Sequence, residues 1–166
     1  MIRAGLLAAL LALPHHVAGQ DSLPAPLQQL LSQRQAECSG FDEGTLTLED
    51  GAVAQADLDG DGQPDWVLDE SHLRCSSAAS LYCGTGGCGV SFLVNDVLST
   101  HLAKGWALTE LGPLRAVLLQ VHGSRCGGIN PTPCVEALVW DPGAARFSTV
   151  APQFPEPSDP IPAPVQ

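Results

Sequence analysis

Four aspartates, Asp57, Asp59, Asp61 and Asp65, fall within nine residues in the stretch Asp57-Leu58-Asp59-Gly60-Asp61-Gly62-Gln63-Pro64-Asp65. Carboxylates at alternating positions 1, 3 and 5 converge if the chain turns sharply behind them. Gly62, at position 6, permits the positive φ of such a turn. The main-chain carbonyl of Gln63 then falls at position 7, and Asp65 at position 9 adds another oxygen, directly or through water. Hard oxygen donors without imidazole or thiolate select Ca²⁺ over zinc or copper. Two carboxylates ~4 Å apart repel by ~1 kcal/mol in water and by ~4 kcal/mol at an effective dielectric near 20, so several converging pairs call for a cation. The predicted ligands are therefore Asp57, Asp59, Asp61, Gln63 and Asp65, and the predicted cofactor is Ca²⁺.

The nine residues resemble the first part of an EF-hand calcium loop. They are still more similar to the D-x-D-G-D-G-x-x-D loops of dockerins, thrombospondin type 3 repeats and FG-GAP (integrin-type) propeller repeats. Position 12, where the EF-hand pattern has a bidentate Glu, is Leu68. The loop also runs straight into an apolar strand, Asp65-Trp66-Val67-Leu68, as FG-GAP loops do. The resemblance covers residues 57–69 in a single copy, and a propeller requires several. It therefore implies a calcium loop and no propeller. Lacking a carboxylate at position 12, such a site binds weakly, with a dissociation constant of about 10⁻⁴–10⁻³ M. That suits a structural clip better than a sensor. Asp69 and Glu70 are the candidates to complete the coordination.

The chain that must position this loop carries the marks of export. Arg3 and the apolar run Ala4–Leu13 precede Val17-Ala18-Gly19, which has small residues where a signal peptidase cuts. Residues 1–19 read as a signal peptide with cleavage before Gln20. No second apolar run is long enough to span a bilayer. The six cysteines, Cys38, Cys75, Cys83, Cys88, Cys126 and Cys134, then read as disulfides, although six allow fifteen pairings. Local spacing narrows the choice. Cys83 and Cys88 enclose four flexible residues, and Cys126 and Cys134 bracket a loop with two glycines and two prolines. Cys38 and Cys75 remain for each other.

The hydrophobic pattern predicts one helix over about 24–37, from Leu27, Leu30, Leu31 and Arg34 at helical spacing. Asp21 and Ser22 are N-cap types, and Gly40 is placed to stop the helix. Short strands follow. Thr45–Leu48 alternates polar and apolar residues, Asp50-Gly51 signals a hairpin, and Ala52–Ala56 would return beside it. Further strands are predicted at 66–68, 89–94, 97–102, 106–110, 114–122, 134–140 and 146–150. This spacing predicts a mainly β (α+β) chain, an antiparallel sandwich or partly closed barrel with one N-terminal helix, stapled by disulfides. Residues 20–150 form a single domain in this reading. Residues 151–166, with six prolines, read as a disordered tail.

Composition removes several function classes. With 18 acidic and 7 basic residues, the formal charge is −11, and the chain offers no basic surface for nucleic acid or anionic lipid. Cys83–Cys88 (CGTGGC) lacks the Gly-Lys-Ser/Thr ending of a phosphate-cradling loop. His122, Ser124 and Cys126 lie close together, but Ser124 is not in a nucleophile elbow and the even cysteine count leaves no spare thiol. His72 and His101 lack ligand spacing and read as surface residues, while Trp66, Trp106 and Trp140 read as core anchors. The expectation is thus a periplasmic or secreted calcium-binding module, monomeric, without a recognisable catalytic set, whose partner would be an envelope or extracellular protein. One alternative is a hydrolase using Asp69, Glu70 or Glu136. The other is an inhibitor or assembly factor that presents its disulfide loops.

Overall fold

The computed structural model describes residues 23–149. The predicted signal peptide, the N-cap candidates Asp21 and Ser22, and the proline-rich segment 151–166 lie outside the described residues. Helix α1 (Ala25–Ser39) is followed by β1 (Leu46–Leu48), β2 (Val53–Ala56), β3 (Asp65–Asp69), β4 (Leu73–Cys75), β5 (Cys83–Gly84) and β6 (Gly87–Val94). Then come β7 (Val97–Ala103), β8 (Gly105–Leu111), β9 (Leu114–Gln120), β10 (Val135–Asp141) and β11 (Arg146–Thr149).

These strands form three open antiparallel sheets, so the barrel alternative is not realised. One sheet runs β2-β3-β6-β5, with β7 paired to β6; a second runs β11-β10-β9-β8; the third is the pair β1-β4. The first sheet is the middle layer. Val67, Val90, Phe92 and Val94 on one of its faces meet Val117, Leu119, Leu138 and Trp140 of the second sheet. Leu68 and Leu93 on its other face meet Leu27, Leu30 and Leu31 of α1, with Leu73 and Cys75 of β4. A strand buried on both faces needs apolar residues at successive positions, and alternation fades. That is why β6 reads Val90-Ser91-Phe92-Leu93-Val94.

The three disulfides join Cys38 to Cys75, Cys83 to Cys88 and Cys126 to Cys134, with Cα–Cα distances of 5.5, 4.2 and 5.8 Å. They are the pairs that the spacing predicts, and no described cysteine is free.

One local expectation is corrected. The Asp50-Gly51 turn forms, with Gly51 at φ +92°, but the strands on either side of it do not pair. β1 pairs with β4 under the helix, and β2 pairs with β3 in the middle layer. Leu46 and Leu48 belong to the helix-side core, whereas Ala54 and Ala56 pack on the other one. The Cys38–Cys75 bond ties β4 to the end of α1, so burial and a covalent link override the local hairpin signal. Gly40 ends the helix in a right-handed conformation, and the left-handed residues that turn the chain are Asp42 and Glu43.

Candidate metal centre

The acidic loop joins two paired strands, β2 ending at Ala56 and β3 starting at Asp65, and these two residues face each other in register. Between them Leu58 is fully buried in the core between the two large sheets. This side chain anchors an otherwise polar connection. Asp57 then folds the loop around its own carboxylate: Oδ1 accepts from the Gly60 N–H at 2.7 Å and Oδ2 from the Gly62 N–H at 3.1 Å. Asp59 Oδ1 accepts from Asp61 N–H (3.1 Å), and Asp61 Oδ1 from Gln63 N–H (2.7 Å). The turn needs Gly62 at φ +84° and Gly60 at φ +86°, a conformation that glycine adopts without Cβ strain.

This local bonding brings Asp57, Asp59 and Asp61 together, each offering an oxygen within 4.8 Å of the others. Asp65 lies outside that trio. It is half-buried at the foot of the loop, where Oδ2 accepts from the Leu58 N–H at 2.8 Å. Burial, followed by the charges of Asp59, Asp61 and Asp57, pushes the Asp65 carboxyl up to about 6, against the lowering effect of the Leu58 hydrogen bond. Gln63 is exposed at the turn.

The two residues suggested to complete the coordination are used elsewhere. Asp69, at the far end of β3, accepts from the Ser71 N–H at 2.9 Å and caps a short 3-10 turn. Glu70 is 4% exposed and takes a 2.7 Å hydrogen bond from Arg34 Nε of the helix. Leu68, at position 12, is fully buried in the helix-side core.

Two neighbours were not legible in the sequence. The Arg115 guanidinium on β9 pairs with the Asp57 carboxylate and donates to the Asp57 carbonyl at 3.0 Å. It also pairs with Glu110. Asn95, in the β6–β7 turn, donates from Nδ2 to Asp59 Oδ2 at 3.1 Å. Asn95-Asp96 between two apolar runs is a recognisable turn signal, and both residues do adopt positive φ. Only strand pairing brings that turn to the loop. Arg115 has no local signal, since it stands 58 residues from Asp57.

Among the described residues, Asp57, Asp59 and Asp61 are the group placed to hold a metal ion. Four loop aspartates and Glu110 against Arg115 leave a local charge of −4. The other demoted candidates take structural places. Cys83 and Cys88 close a disulfide across the β5–β6 pair, and Cys126 is bonded to Cys134. His72 and His101, expected at the surface, are half-buried; the His101 ring lies 5.8 Å from Phe92 and 6.4 Å from Phe147. Trp140 is buried, and Trp66 and Trp106 pack against the two cores. Among known proteins the chain matches no family model, no curated sequence and no solved structure.

Proposed function

We propose that this protein is an exported, disulfide-stapled β module whose 57–65 loop binds Ca²⁺ as a structural clip. The observation that carries the reading is the convergence of Asp57, Asp59 and Asp61 to within 4.8 Å, on a loop whose glycines and main-chain hydrogen bonds hold it turned. Converged carboxylates repel, and the one cation among the described residues that touches them, Arg115, leaves most of their charge unmatched. All the donors offered are oxygens, the preference of Ca²⁺. The displacement of Asp65 from the trio suits a ligand acting through water, and the absence of a carboxylate at position 12 suits weak binding. Three disulfides are consistent with an oxidising compartment. No helix among the described residues is long and apolar enough to cross a membrane. The function that follows is mechanical: calcium fastens the β2–β3 connection of a monomeric module acting among envelope or extracellular proteins.

Isothermal titration with CaCl₂ tests this reading. Wild type should take up one ion with a dissociation constant of about 10⁻⁴–10⁻³ M, and Asp59→Ala should lose the heat. A second reading rests on the Arg115–Asp57 pair, in which the guanidinium is the loop's own clip and no ion is needed. A flat titration for wild type would select it.

A further inference from the structure

The strands place a second feature at the other end of the same layers. The acidic loop lies by the β6–β7 turn, and the Cys83–Cys88 and Cys126–Cys134 hairpins lie where β6 begins and β7 and β9 end. Between them opens a cavity of about 410 Å³, with Leu102, Leu119 and Val121 as apolar wall. That volume falls within the range of small-molecule sites. Its polar side comes from the segment after β9. His122 Nδ1 lies 2.8 Å from Ser124 Oγ, and Arg125 Nε donates to Glu136 Oε1 at 2.6 Å. The terminal nitrogens of Arg125 make no hydrogen bond among the described residues, so that edge of the fork is available to a ligand.

We propose that this cavity binds a small organic carboxylate with an apolar body, the carboxylate on Arg125 beside His122, and the body on Leu102, Leu119 and Val121. Two observations support a carboxylate site here on a chain of charge −11. Among the residues that line the cavity, one guanidinium, Arg125, stands beside one acid, Glu136. Glu136 occupies only the Nε edge of the guanidinium, and a planar fork with a free edge suits a carboxylate. The wall is also preformed. The Cys126–Cys134 bond closes the loop, and a Cβ on Gly123 would stand 2.0 Å from the Ile129 carbonyl oxygen. Nothing in this inference depends on calcium.

The test is an amide-shift NMR titration of the intact protein with three probes of one shape: 3-phenylpropionate, 3-phenylpropionamide and 3-phenylpropylammonium. The carboxylate should bind with a dissociation constant on the order of 1 mM and shift the amides of Leu102, Val121 and Ser124. The neutral amide should bind at least about tenfold more weakly, as loss of a charge-assisted pair demands. Arg125→Gln should weaken the carboxylate alone by a similar factor, while Asp59→Ala leaves it unchanged. Equal binding of all three probes, preference for the ammonium, shifts elsewhere, or no binding would each overturn the proposal. The three-probe comparison on wild type stands even if Arg125→Gln does not fold.

Discussion

At Asp57 the proposed ion would have to share one carboxylate with Arg115. Arg115 holds it from β9, whereas Ca²⁺ would take it together with Asp59 and Asp61. Replacing Arg115 with Gln removes a positive charge beside the site and keeps a donor for the Asp57 carbonyl. Arg115→Gln should therefore bind Ca²⁺ severalfold more tightly by titration while melting at a lower temperature in chelator. The opposite ordering in both measurements would mean that Arg115 supports the ion. His101 gives a pH dependence of defined sign. Burial, partly opposed by the charge of Glu136, lowers its pKa below the ordinary value of 6.5. The unfolded chain then takes up a proton that the folded protein refuses, so stability is full above about pH 6.5 and declines as the pH falls below it. His101→Phe should flatten this acid loss in denaturant titrations between pH 7 and 5, and an unchanged slope would place the loss elsewhere.

At the scale of the elements, the loop depends on what lies beneath it. Leu58 is the only fully buried side chain of the 57–65 segment, and its truncation leaves a cavity between the large sheets. Leu58→Ala should cost about 2–5 kcal/mol in denaturant unfolding; a loss below 1 kcal/mol would show that the loop is not anchored there. On the other side of the middle layer, the Cys38–Cys75 bond closes 37 residues of sequence separation. In the chain-entropy model, removing it with a double alanine variant costs roughly 4 kcal/mol. Hydrogen exchange should then rise first in α1, β1 and β4. Much of this architecture was legible because it has local causes: helical spacing at Leu27, Leu30 and Leu31, apolar runs at β6 and β9, and two short-spaced cysteine pairs that leave Cys38 for Cys75. What escaped the sequence has non-local causes. β1 and β2 part company because β2 joins the middle sheet, with Val53 on the helix-side core and Ala54 and Ala56 on the other, while β1 pairs with β4, and β4 is too short to announce itself. The trio of aspartates was likewise readable from spacing, since neighbouring main-chain groups fold the loop. Arg115 and Asn95 reach it only through strand register, and Glu70 is drawn away by Arg34 across the helix interface.

For the molecule as a whole, the middle sheet separates two ends that differ in charge. Strands of seven or eight residues, β6 and β7, span roughly 20 Å between the acidic loop and the disulfide-bound cavity. Exposed loop charges at that separation are strongly screened at physiological salt, so the two ends should respond independently to their ligands. At the acidic end, the proposed ion would offset the convergence of like charges. At ~1 mM Ca²⁺ and a dissociation constant of ~0.1 mM, linkage adds about 1.4 kcal/mol, or about 5 °C in melting temperature for a domain of this size. Scanning calorimetry of wild type and Asp59→Ala, each in 1 mM Ca²⁺ and in chelator, measures this directly. Calcium should raise the wild-type transition by that amount, magnesium should restore it poorly, and Asp59→Ala should melt at one temperature in both conditions. Identical wild-type curves with calcium and with chelator would contradict it.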